Sequence, residues 1–401
     1  LTIHEEVEFN RTARVRIIGI CIETRPDAID SEWLHRFRQW GVTRVQLGVQ
    51  HLDDDILKKV NRGHTVQDAV DAVNFLKDNC FKVDIHMMPD LPNSTPSIDK
   101  DMFKKLFTTD FMRVDQVKIY PCEITPWTKI QKWYQEGKYR PYSEVCERDL
   151  FDVVKYAMEI CPPYVRLPRV IRDIPTSYIQ GGNAYPNLRQ MLYQEMEKEG
   201  KYSMDIRNRE CGRHPKYKVE NADYVTREYS YVTYNNNRIA TDYFISAESP
   251  DRKVIFGFLR LRIPHNRKHF PVFDCLDRTA LIRELHVYGE VVPVGFSKEN
   301  VTQHKGVGTK LLKIAEEHAY YKGNLDRIAV ISGIGVKGFY EKHNYYSSGI
   351  QDGDFLIKDI SGKGYNMYLK VHSVFFGILC FILLTIAFVK HVQNVNVTQV
   401  Y

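Results

Sequence analysis

A pair of glycines before a helical pattern is the feature of the sequence that most suggests ligand chemistry. Residues 303–312 read QHKGVGTKLL, with Gln303, Gly306 and Gly308 placed ahead of a run that predicts a helix over Thr309 to Tyr321. Glycine lets backbone N–H groups approach a ligand closely, and the first N–H groups of a helix bind phosphate. The spacing therefore predicts a phosphate-binding turn.

Two common phosphate loops do not fit this turn. Walker A requires Lys and then Ser or Thr after its last glycine, but here Thr309 precedes Lys310. The dinucleotide fingerprint requires a third glycine at the position of Leu311. The pattern Gln303-x-x-Gly306-x-Gly308 resembles instead the Q/R-x-x-G-x-G/A sequence of the GCN5-related acetyltransferases, which implies that the turn binds the pyrophosphate of coenzyme A. A tight turn without a ligand is the alternative.

Polar residues also follow predicted strands in the first third of the chain. Glu23, Thr24 and Arg25 come directly after one strand, and Asp90 comes after another. Ligands of parallel sheets gather at the carboxyl ends of the strands. Arg25 would bind a carboxylate and Glu23 would accept a hydrogen bond from a ribose or an amine, with a salt bridge inside the loop as the alternative.

A basic stretch interleaved with tyrosines runs from Cys161 to about Lys218. Such a mixture suits phosphate contacts and base stacking, and the alternative is an ordinary solvated surface. Its cations include Arg166, Arg169, Arg172, Arg189, Lys198, Lys201, Arg207, Arg209, Arg213 and Lys216.

Strands and helices must position these residues, and the first third of the sequence alternates between the two patterns. Such alternation indicates a parallel sheet, as a barrel or an open α/β layer. The predicted strands are Val15–Ile22, Thr43–Gln50, Phe81–Met88 and Val114–Tyr120, and the predicted helices are Ser31–Trp40 and Thr65–Cys80, the latter with a threonine cap.

After Tyr224 the pattern changes to consecutive antiparallel strands. Three asparagines, Asn235 to Asn237, predict the first hairpin turn. The predicted strands contain the sequences YSYVTYNN, DYFISAES, KVIFGFLRLRI and TALIRELHVYG.

Length and composition indicate a globular protein with two domains. The chain has 401 residues and a net charge of +6, which is compatible with a polyanionic partner but is not a strong nucleic-acid signal. Its eight cysteines form no CxxC pair, which favours a reduced cytosolic setting. Leu1 stands where an initiator Met is expected and no signal-peptide pattern follows, so we expect the true N-terminus to be missing.

A long apolar run lies near the end of the sequence. Val374 to Val389 is uncharged and would extend about 24 Å as a helix, at the short end of the range that spans a bilayer. Lys370 and Lys390 flank it. We expect a membrane anchor at residues 371–389, with a buried core helix as the alternative.

Several of these segments together resemble the catalytic subunit of the Elongator complex, over roughly residues 15–360. The resemblance implies a partial TIM-like radical S-adenosylmethionine (SAM) barrel, a GNAT-type mixed α/β acetyltransferase domain and then the transmembrane helix. The domains expected are 1–160, a basic tRNA-facing linker at 161–223, and 224–362. The matching segments are GICIETRPD, RVQLGVQ, VNRGHTV, HMMPDLPN, RDIP, DIRNRE, RELHVYGEVVPV and QHKGVGTKLL.

The resemblance implies an enzyme that uses SAM, a 4Fe-4S cluster and acetyl-CoA to form 5-carboxymethyluridine at the tRNA wobble position. It implies that Glu23 and Arg25 lie beside SAM, that Arg207 and Arg209 face tRNA, and that Tyr340 is catalytic near the thioester. The acetyl-CoA contacts would be Glu284, Leu285, His286, Val287, Gln303, Gly306, Val307, Gly308, Thr309 and Tyr340.

The sequence departs from this family in two places. The family's three cluster cysteines precede the GICIETRPD strand, but residues 1–20 contain no cysteine, so we expect the ligands upstream of Leu1. Most of the family is soluble, whereas the tail predicts attachment to the outer mitochondrial membrane, or otherwise the endoplasmic reticulum, with both domains facing the cytosol.

Two other functions stay open at this stage. A protein lysine acetyltransferase would use only the second domain, with Glu284 or His286 as the general base. A catalytically silent, membrane-held scaffold would bind tRNA without turnover. Other Elongator subunits are expected as further partners of the tRNA enzyme.

Overall fold

The computed structural model describes residues 2–183, 185–232, 238–265, 271–289 and 306–361. Within these ranges the chain forms two α/β units, each built on its own sheet. The helices of the described part are α1 (Ile3–Thr12), α2 (Ser31–Gln39), α3 (Asp54–Lys59), α4 (Val66–Asp78), α5 (Pro96–Thr108), α6 (Lys129–Gln135), α7 (Tyr142–Val145), α8 (Glu147–Glu159), α9 (Leu188–Lys198), α10 (Ile206–Arg209), α11 (Val307–Tyr321) and α12 (Lys337–Glu341).

The sheet of the first unit is parallel, and its neighbours follow chain order. The described part contributes β1 (Ile20–Thr24), β2 (Val42–Gln50), β3 (Lys82–Met87) and β4 (Gln116–Ile119), ordered β1-β2-β3-β4. Strands added in one direction are typical of a barrel, whereas a doubly wound sheet reverses its strand order partway.

Local sequence explains why α4 forms where it does. Thr65 accepts a hydrogen bond from the N–H of Asp68, and the Asp68 carboxylate accepts one from the N–H of Thr65, which completes a capping box. Ala69, Val73 and Leu76 then recur at helical spacing and are fully buried against the sheet. The predicted helix at this position and its cap are confirmed.

The stretch predicted as a linker packs against the first sheet. The backbone N–H groups of Val117 and Ile119 donate to the carbonyls of Arg166 and Arg169, at 3.0 Å each. The apolar side chains of α9 are buried in the same core as β3 and β4. Residues 161–209 therefore continue the first unit beyond β4.

The second unit is a mixed sheet with one parallel pair near its middle. Its described strands are β5 (Asp223–Val232), β6 (Arg238–Glu248), β7 (Ile255–Pro264), β8 (Ala280–Val287), β9 (Arg327–Val330), β10 (Tyr346–Ser347) and β11 (Leu356–Asp359). The order is β10-β11-β9-β8-β7-β6-β5, and only β8 and β9 run parallel among these pairs. Helix α11 packs its apolar face onto this sheet.

The two units share a buried interface. Arg38 of α2 is buried and donates to the carbonyl of Gly353 at 2.8 Å, while the Asn79 side chain accepts a hydrogen bond from the N–H of Val272 at 2.8 Å. One hydrophobic cluster contains side chains of both units, such as Phe81 and Leu281. This interface fixes how the two sheets are placed relative to each other.

Strand β1 begins later than predicted. The expectation was Val15–Ile22, but the strand starts at Ile20, and Val15 and Ile18 are 81% and 70% exposed. The backbone before Ile20 is bonded to another segment, since Ile17 accepts a hydrogen bond from the N–H of Gly335 at 3.1 Å. The apolar pattern alone did not show that this stretch would meet a loop of the second unit.

Two predictions fall outside the described residues. These are the hairpin turn at Asn235–Asn237, although β5 and β6 do pair antiparallel on either side of it, and the membrane anchor at 371–389, which stays a prediction. Among the helices within the described ranges, none has the length and apolar character needed to cross a bilayer.

Candidate functional site

Polar side chains from neighbouring strands meet at the carboxyl end of the first sheet. Glu23 on β1 lies 3.3 Å from Nδ1 of His86 on β3, and Nε2 of His86 lies 3.0 Å from Oε1 of Gln46 on β2. Lys118 on β4 contacts the same oxygen of Gln46. Glu23 is the register partner of Gln46, and His86 is the register partner of Lys118, so the contacts between these two pairs run diagonally across one face of the sheet.

The surroundings of His86 keep its imidazole neutral at physiological pH. Burial lowers its pKa to about 4, and nearby Lys118 and Arg172 also lower it, whereas Glu23 opposes them. A neutral imidazole donates from one nitrogen and accepts at the other. Together with the exposed Glu23 carboxylate it forms a polar surface suited to an amine or hydroxyl ligand.

The two loop residues singled out from the sequence have different roles in the structure. Arg25 is exposed and forms a salt bridge of 2.6 Å with Asp27, which is the alternative that the sequence left open. Asp90 is buried and accepts hydrogen bonds from the N–H groups of Tyr142 (2.6 Å) and Ser143 (3.2 Å). Asp90 therefore anchors its loop and does not face a ligand.

Sequence reasoning missed Gln46, His86 and Lys118 as members of the site. It also missed Asp84, which is buried two residues before His86, lies 3.6 Å from Arg44, and has its pKa raised to about 7 by burial. The available signal was the period-2 placement of polar residues inside otherwise apolar strands. A buried strand with polar residues on one face indicates a polar barrel interior.

A second candidate site lies where two strands of the second sheet separate. β8 pairs with β9 only from Ala280 to Ile282, and from Glu284 to Val287 it pairs with β7 alone. The edge of β8 on the side of β9 therefore presents backbone groups that β9 does not pair. Such an edge accepts an extended ligand as an added strand.

The glycine turn lies at this open edge. Gly306 has φ 73°, a left-handed conformation that favours glycine, and α11 begins directly after it. A Cβ on Gly308 would lie 3.5 Å from Val287 and 3.3 Å from the Phe339 ring, so little room exists for a larger residue. Gly306, Val307, Gly308 and Thr309 thus place a helix N-terminus beside β8, while Gln303 lies outside the described residues.

Tyr340 lies in the wall behind this turn. Its side chain is buried among Phe339 and Tyr345, whose rings are 5.1 Å and 5.9 Å from its own. Burial raises the pKa of its hydroxyl well above the usual value, and Cys80 and Glu284 add to this. The phenol is therefore protonated and able to donate a hydrogen bond at any physiological pH.

The β8 residues predicted to contact acetyl-CoA differ in their surroundings. Burial favours the neutral form of Glu284, but the positive charges of Lys82 and Arg260 outweigh it and lower the pKa of this carboxyl group to about 2. A carboxylate of that pKa is a weak base at neutral pH. His286 is exposed beside the ring of Tyr288 at 4.4 Å, and Leu285 and Val287 are half-buried.

The two arginines predicted to face tRNA lie in opposite environments. The prediction for Arg209 is wrong, because its side chain is fully buried, lies 3.1 Å from Glu248 and donates to the carbonyl of Pro163 at 2.7 Å. Arg207 is half-buried, and its Nε has no hydrogen-bond partner. Burial lowers the pKa of Arg207, and so do the positive charges nearby, which are Arg189, Arg166 and Arg213.

These four arginines form what we call the arginine cluster: Arg166, Arg189, Arg207 and Arg213. Arg166 also interacts electrostatically with Tyr288, which comes directly after β8. Glu210 already neutralises one of these charges, since it lies 2.7 Å from Arg166. The remaining positive charges repel one another and are stabilised by a further anion placed among them, so the cluster is a candidate phosphate-binding surface near the end of β8.

No metal site forms in the part of the chain that the structure describes. Nowhere in those residues do three His, Cys, Asp or Glu side chains gather as ligands, and the seven described cysteines are separate free thiols. The described residues therefore do not fit a 4Fe-4S cluster, which requires neighbouring thiolates.

Comparison with known families agrees with the extent of the first unit. Residues 2–102 match the radical SAM superfamily, and residues 114–198 match the radical SAM C-terminal domain. The second match covers most of the basic stretch, in agreement with its packing on the first sheet.

Known proteins match over a larger part of the chain. The tRNA uridine(34) acetyltransferase of Methanocaldococcus jannaschii is 37% identical, covering 88% of this chain and 64% of the relative. The solved structure of the archaeal Methanocaldococcus infernus Elp3 with an N-terminal deletion has a TM-score of 0.78 at 36% identity, covering 88% of this chain and 81% of that one. The chain belongs to the Elp3 family.

A eukaryotic member is similar over the same region. Elongator complex protein 3 of Schizosaccharomyces pombe is 35% identical, covering 86% of this chain and 62% of its own length. The chain thus spans less than two thirds of the length of these two full-length relatives of the Elp3 family. Its first unit has the α/β fold of the radical SAM superfamily. Enzymes of this superfamily use SAM and a 4Fe-4S cluster.

Proposed function

We propose that this chain acts in tRNA wobble-uridine modification, as an enzyme that uses acetyl-CoA and SAM to form 5-carboxymethyluridine. The observation that carries the proposal is the separation of β8 from β9 beside the glycine start of α11. That arrangement offers a length of β8 that β9 does not pair and a helix N-terminus at one place. Acetyl-CoA has an extended amide-bearing arm and a pyrophosphate, which are the chemical groups that these two features bind.

In this proposal the second unit is a GNAT-type domain. The N–H groups at the start of α11, from Val307 to Thr309, would bind the pyrophosphate, since they lack partners inside the helix and the helix dipole favours an anion there. Glu284 to Val287 would contact the arm. Tyr340, protonated in its buried position, would donate a hydrogen bond near the thioester.

The first unit would bind SAM at the carboxyl end of its sheet. The exposed Glu23 carboxylate supplies an acceptor there for the amine or a ribose hydroxyl of such a ligand, and His86, whose ring nitrogens face Glu23 and Gln46, orients that carboxylate. A 4Fe-4S cluster supplies radical cleavage of SAM when it is bound in enzymes of this superfamily. The described residues do not supply its ligands, so Glu23 and His86 are assigned only to binding and orienting SAM.

The arginine cluster would bind the tRNA backbone. It lies next to the end of β8, because Arg166 interacts with both Tyr288 and Glu284. A phosphate bound among these arginines would place the nucleotide chain beside the open edge. Other Elongator subunits are the partners that membership of the family suggests.

The environment of Glu284 argues against this residue as the general base of the lysine acetyltransferase alternative. Such an enzyme needs a base with a pKa near neutrality to deprotonate the amine. Lys82, at 3.6 Å, and Arg260, at 2.9 Å, hold the Glu284 carboxylate as an ion pair instead.

Acetyl-CoA binding tests the proposal directly. We expect the chain to bind acetyl-CoA saturably in isothermal titration calorimetry, and Gly308→Val to weaken binding at least tenfold, because a side chain there meets Phe339 and Val287. The matched control is Gly212→Ala, since a Cβ on Gly212 has open space around it and no positive φ. We expect the control to bind within twofold of the unmodified chain.

Added tRNA separates the enzyme from a scaffold. An enzyme of the proposed kind hydrolyses acetyl-CoA faster when tRNA is present, whereas a scaffold binds tRNA with no change in hydrolysis. If the unmodified chain shows no saturable acetyl-CoA binding, or if Gly308→Val binds as well as Gly212→Ala, the proposal is rejected.

A further inference from the structure

We propose that Asp115 of the first unit is a positioning residue, which acts through Arg283 to hold the bulge of β8 and thereby to set the opening between β8 and β9. The inference rests on the proposed function, because it takes this opening to be the acetyl-CoA site. It adds a dependence of that site on a carboxylate from the other unit.

Arg283 occupies a special position on β8. Glu284 pairs with Arg260 of β7, but the next pair joins Ile282 with Leu261, so Arg283 is the extra residue of a β-bulge. Pairing of β8 with β9 ends at Ile282, one residue earlier. The bulge therefore lies where the two strands begin to separate.

Asp115 binds Arg283 through both carboxylate oxygens. The distances to Nη1 and Nη2 are 2.6 Å and 2.7 Å, and both side chains are 2% exposed or less. The Asp115 carboxylate also accepts a hydrogen bond from the N–H of Val83 at 2.8 Å, which fixes it to β3. A bidentate pair fixes direction as well as distance, so the guanidinium has one orientation.

Further contacts of the first unit surround the bulge. Nη1 of Arg283 donates to the carbonyl of Phe81 at 3.1 Å, and Arg260, which faces the bulge from β7, lies 3.5 Å from Asp115. Nε of Arg260 is 2.9 Å from Glu284 on the other side of the bulge. One carboxylate thus contacts arginines of both strands that form the bulge.

Without this carboxylate, β8 could shift its pairing with β7 by one residue. A strand that slips by one residue moves every side chain to the opposite face, because the period is two. Glu284 to Val287 would then present the wrong faces to the opening. Burying a charged pair costs desolvation free energy that an apolar contact does not cost. An interface that only held the two units together could therefore be built from apolar side chains in place of Asp115 and Arg283.

Hydrogen exchange and ligand binding test the inference in the full chain. We expect Asp115→Asn to speed amide exchange at residues 284–287 and to raise the dissociation constant for acetyl-CoA at least tenfold. The second variant is Arg283→Lys, which keeps the charge but loses the bidentate geometry. We expect it also to speed amide exchange at residues 284–287 and to raise the dissociation constant for acetyl-CoA.

Asp78→Asn is the matched control. Asp78 forms an ion pair of 2.8 Å with Arg262 across the same interface, but Arg262 pairs with Leu281 outside the bulge. We expect this control to lower the thermal midpoint while leaving exchange at 284–287 and acetyl-CoA affinity within twofold of the unmodified chain.

The possible results separate the two proposals. If the unmodified chain binds acetyl-CoA, and if Asp115→Asn and Arg283→Lys leave exchange and affinity as in the control, then Asp115 only holds the units together and the inference is rejected while the proposed function stands. If the unmodified chain does not bind acetyl-CoA, the proposed function fails and the inference fails with it, whatever the exchange rates show.

Discussion

At the scale of single residues, burial decides what an arginine does. Arg207 and Arg209 lie two positions apart in α10. Arg209 is buried and donates hydrogen bonds to Glu248 and to backbone carbonyls. Arg207 lies among other positive charges, and its Nε has no hydrogen-bond partner. Of these two arginines, only Arg207 is placed to contact a phosphate.

Replacing Arg207 tests the arginine cluster. We expect Arg207→Ala to weaken tRNA binding by about 1 kcal/mol, roughly fivefold, and to lower the salt slope of the logarithm of the binding constant by about one, because one phosphate contact is lost. Fluorescence anisotropy with labelled tRNA over a range of salt concentrations measures both quantities.

Arg36→Ala is the control for charge alone. Arg36 is an exposed arginine of α2 that pairs with Glu32 at 2.5 Å. We expect it to leave the salt slope unchanged. Equal slopes for the Arg207 variant and the control would show that the cluster does not bind the tRNA backbone.

At the scale of elements, the backbone before β1 and the turn after β9 join the units. A Cβ on Gly333 would lie 1.8 Å from the carbonyl oxygen of Ile18, and one on Gly335 would lie 2.9 Å from that of Ile17. The loop after β9 therefore contacts the backbone that leads into β1. These glycines are required by close approach and not by an unusual φ.

Gly333→Ala is expected to destabilise the protein by about 2 kcal/mol or more, because backbone on both sides must move to admit the methyl group. Gly338→Ala is the matched control in α12, where the nearest atom would be 3.9 Å away and alanine raises helix propensity by about 1 kcal/mol. Urea unfolding measures the free energy of unfolding of the two variants. A Gly333 variant as stable as the control would disprove this contact.

At the scale of the whole molecule, a buried ion cluster joins the two sheets. Lys77 of α4 lies 2.5 Å from Asp242 of β6, and Arg262 of β7 contacts Asp78 at 2.8 Å and Asp242 at 3.1 Å. Burial alone would raise the pKa of Asp242, but Lys77, Arg262 and Arg283 lower it far below its usual value. Protonating this carboxylate therefore costs the folded state free energy.

This cluster predicts how stability depends on pH. A carboxyl group with a lowered pKa in the folded state stabilises the protein above its unfolded pKa, near 3.9, and that contribution falls as pH drops. We expect Asp242→Asn to lower the free energy of unfolding by about 3 kcal/mol at pH 7, since the substitution removes the negative charge that pairs with the buried cations. Below about pH 4 the difference from the unmodified chain should shrink.

Urea unfolding at several pH values measures this difference. The control is Asp101→Asn, because Asp101 is exposed on α5 and takes no part in the ion pairs of Lys77 and Arg262. A difference for Asp242→Asn that stays constant from pH 7 to pH 3 would contradict the assigned role of the ion cluster.

Elements with local signals could be predicted from neighbouring residues alone. The cap at Thr65, the strands β2 and β3 and the glycine start of α11 depend on neighbouring residues and on periodicity, so they were predicted within a few positions. Long motifs such as GICIETRPD also determined the family resemblance, because chance does not reproduce them in order.

Contacts between residues far apart in the chain became visible only in the folded protein. Asp115 and Arg283 are 168 positions apart, and nothing in their own neighbourhoods shows that they form a buried pair. The same holds for the burial of Arg209 and for the meeting of Glu23 with His86. Such contacts depend on how two sheets pack, and packing is set by the whole chain, whereas caps and periodicities are set by a few adjacent residues.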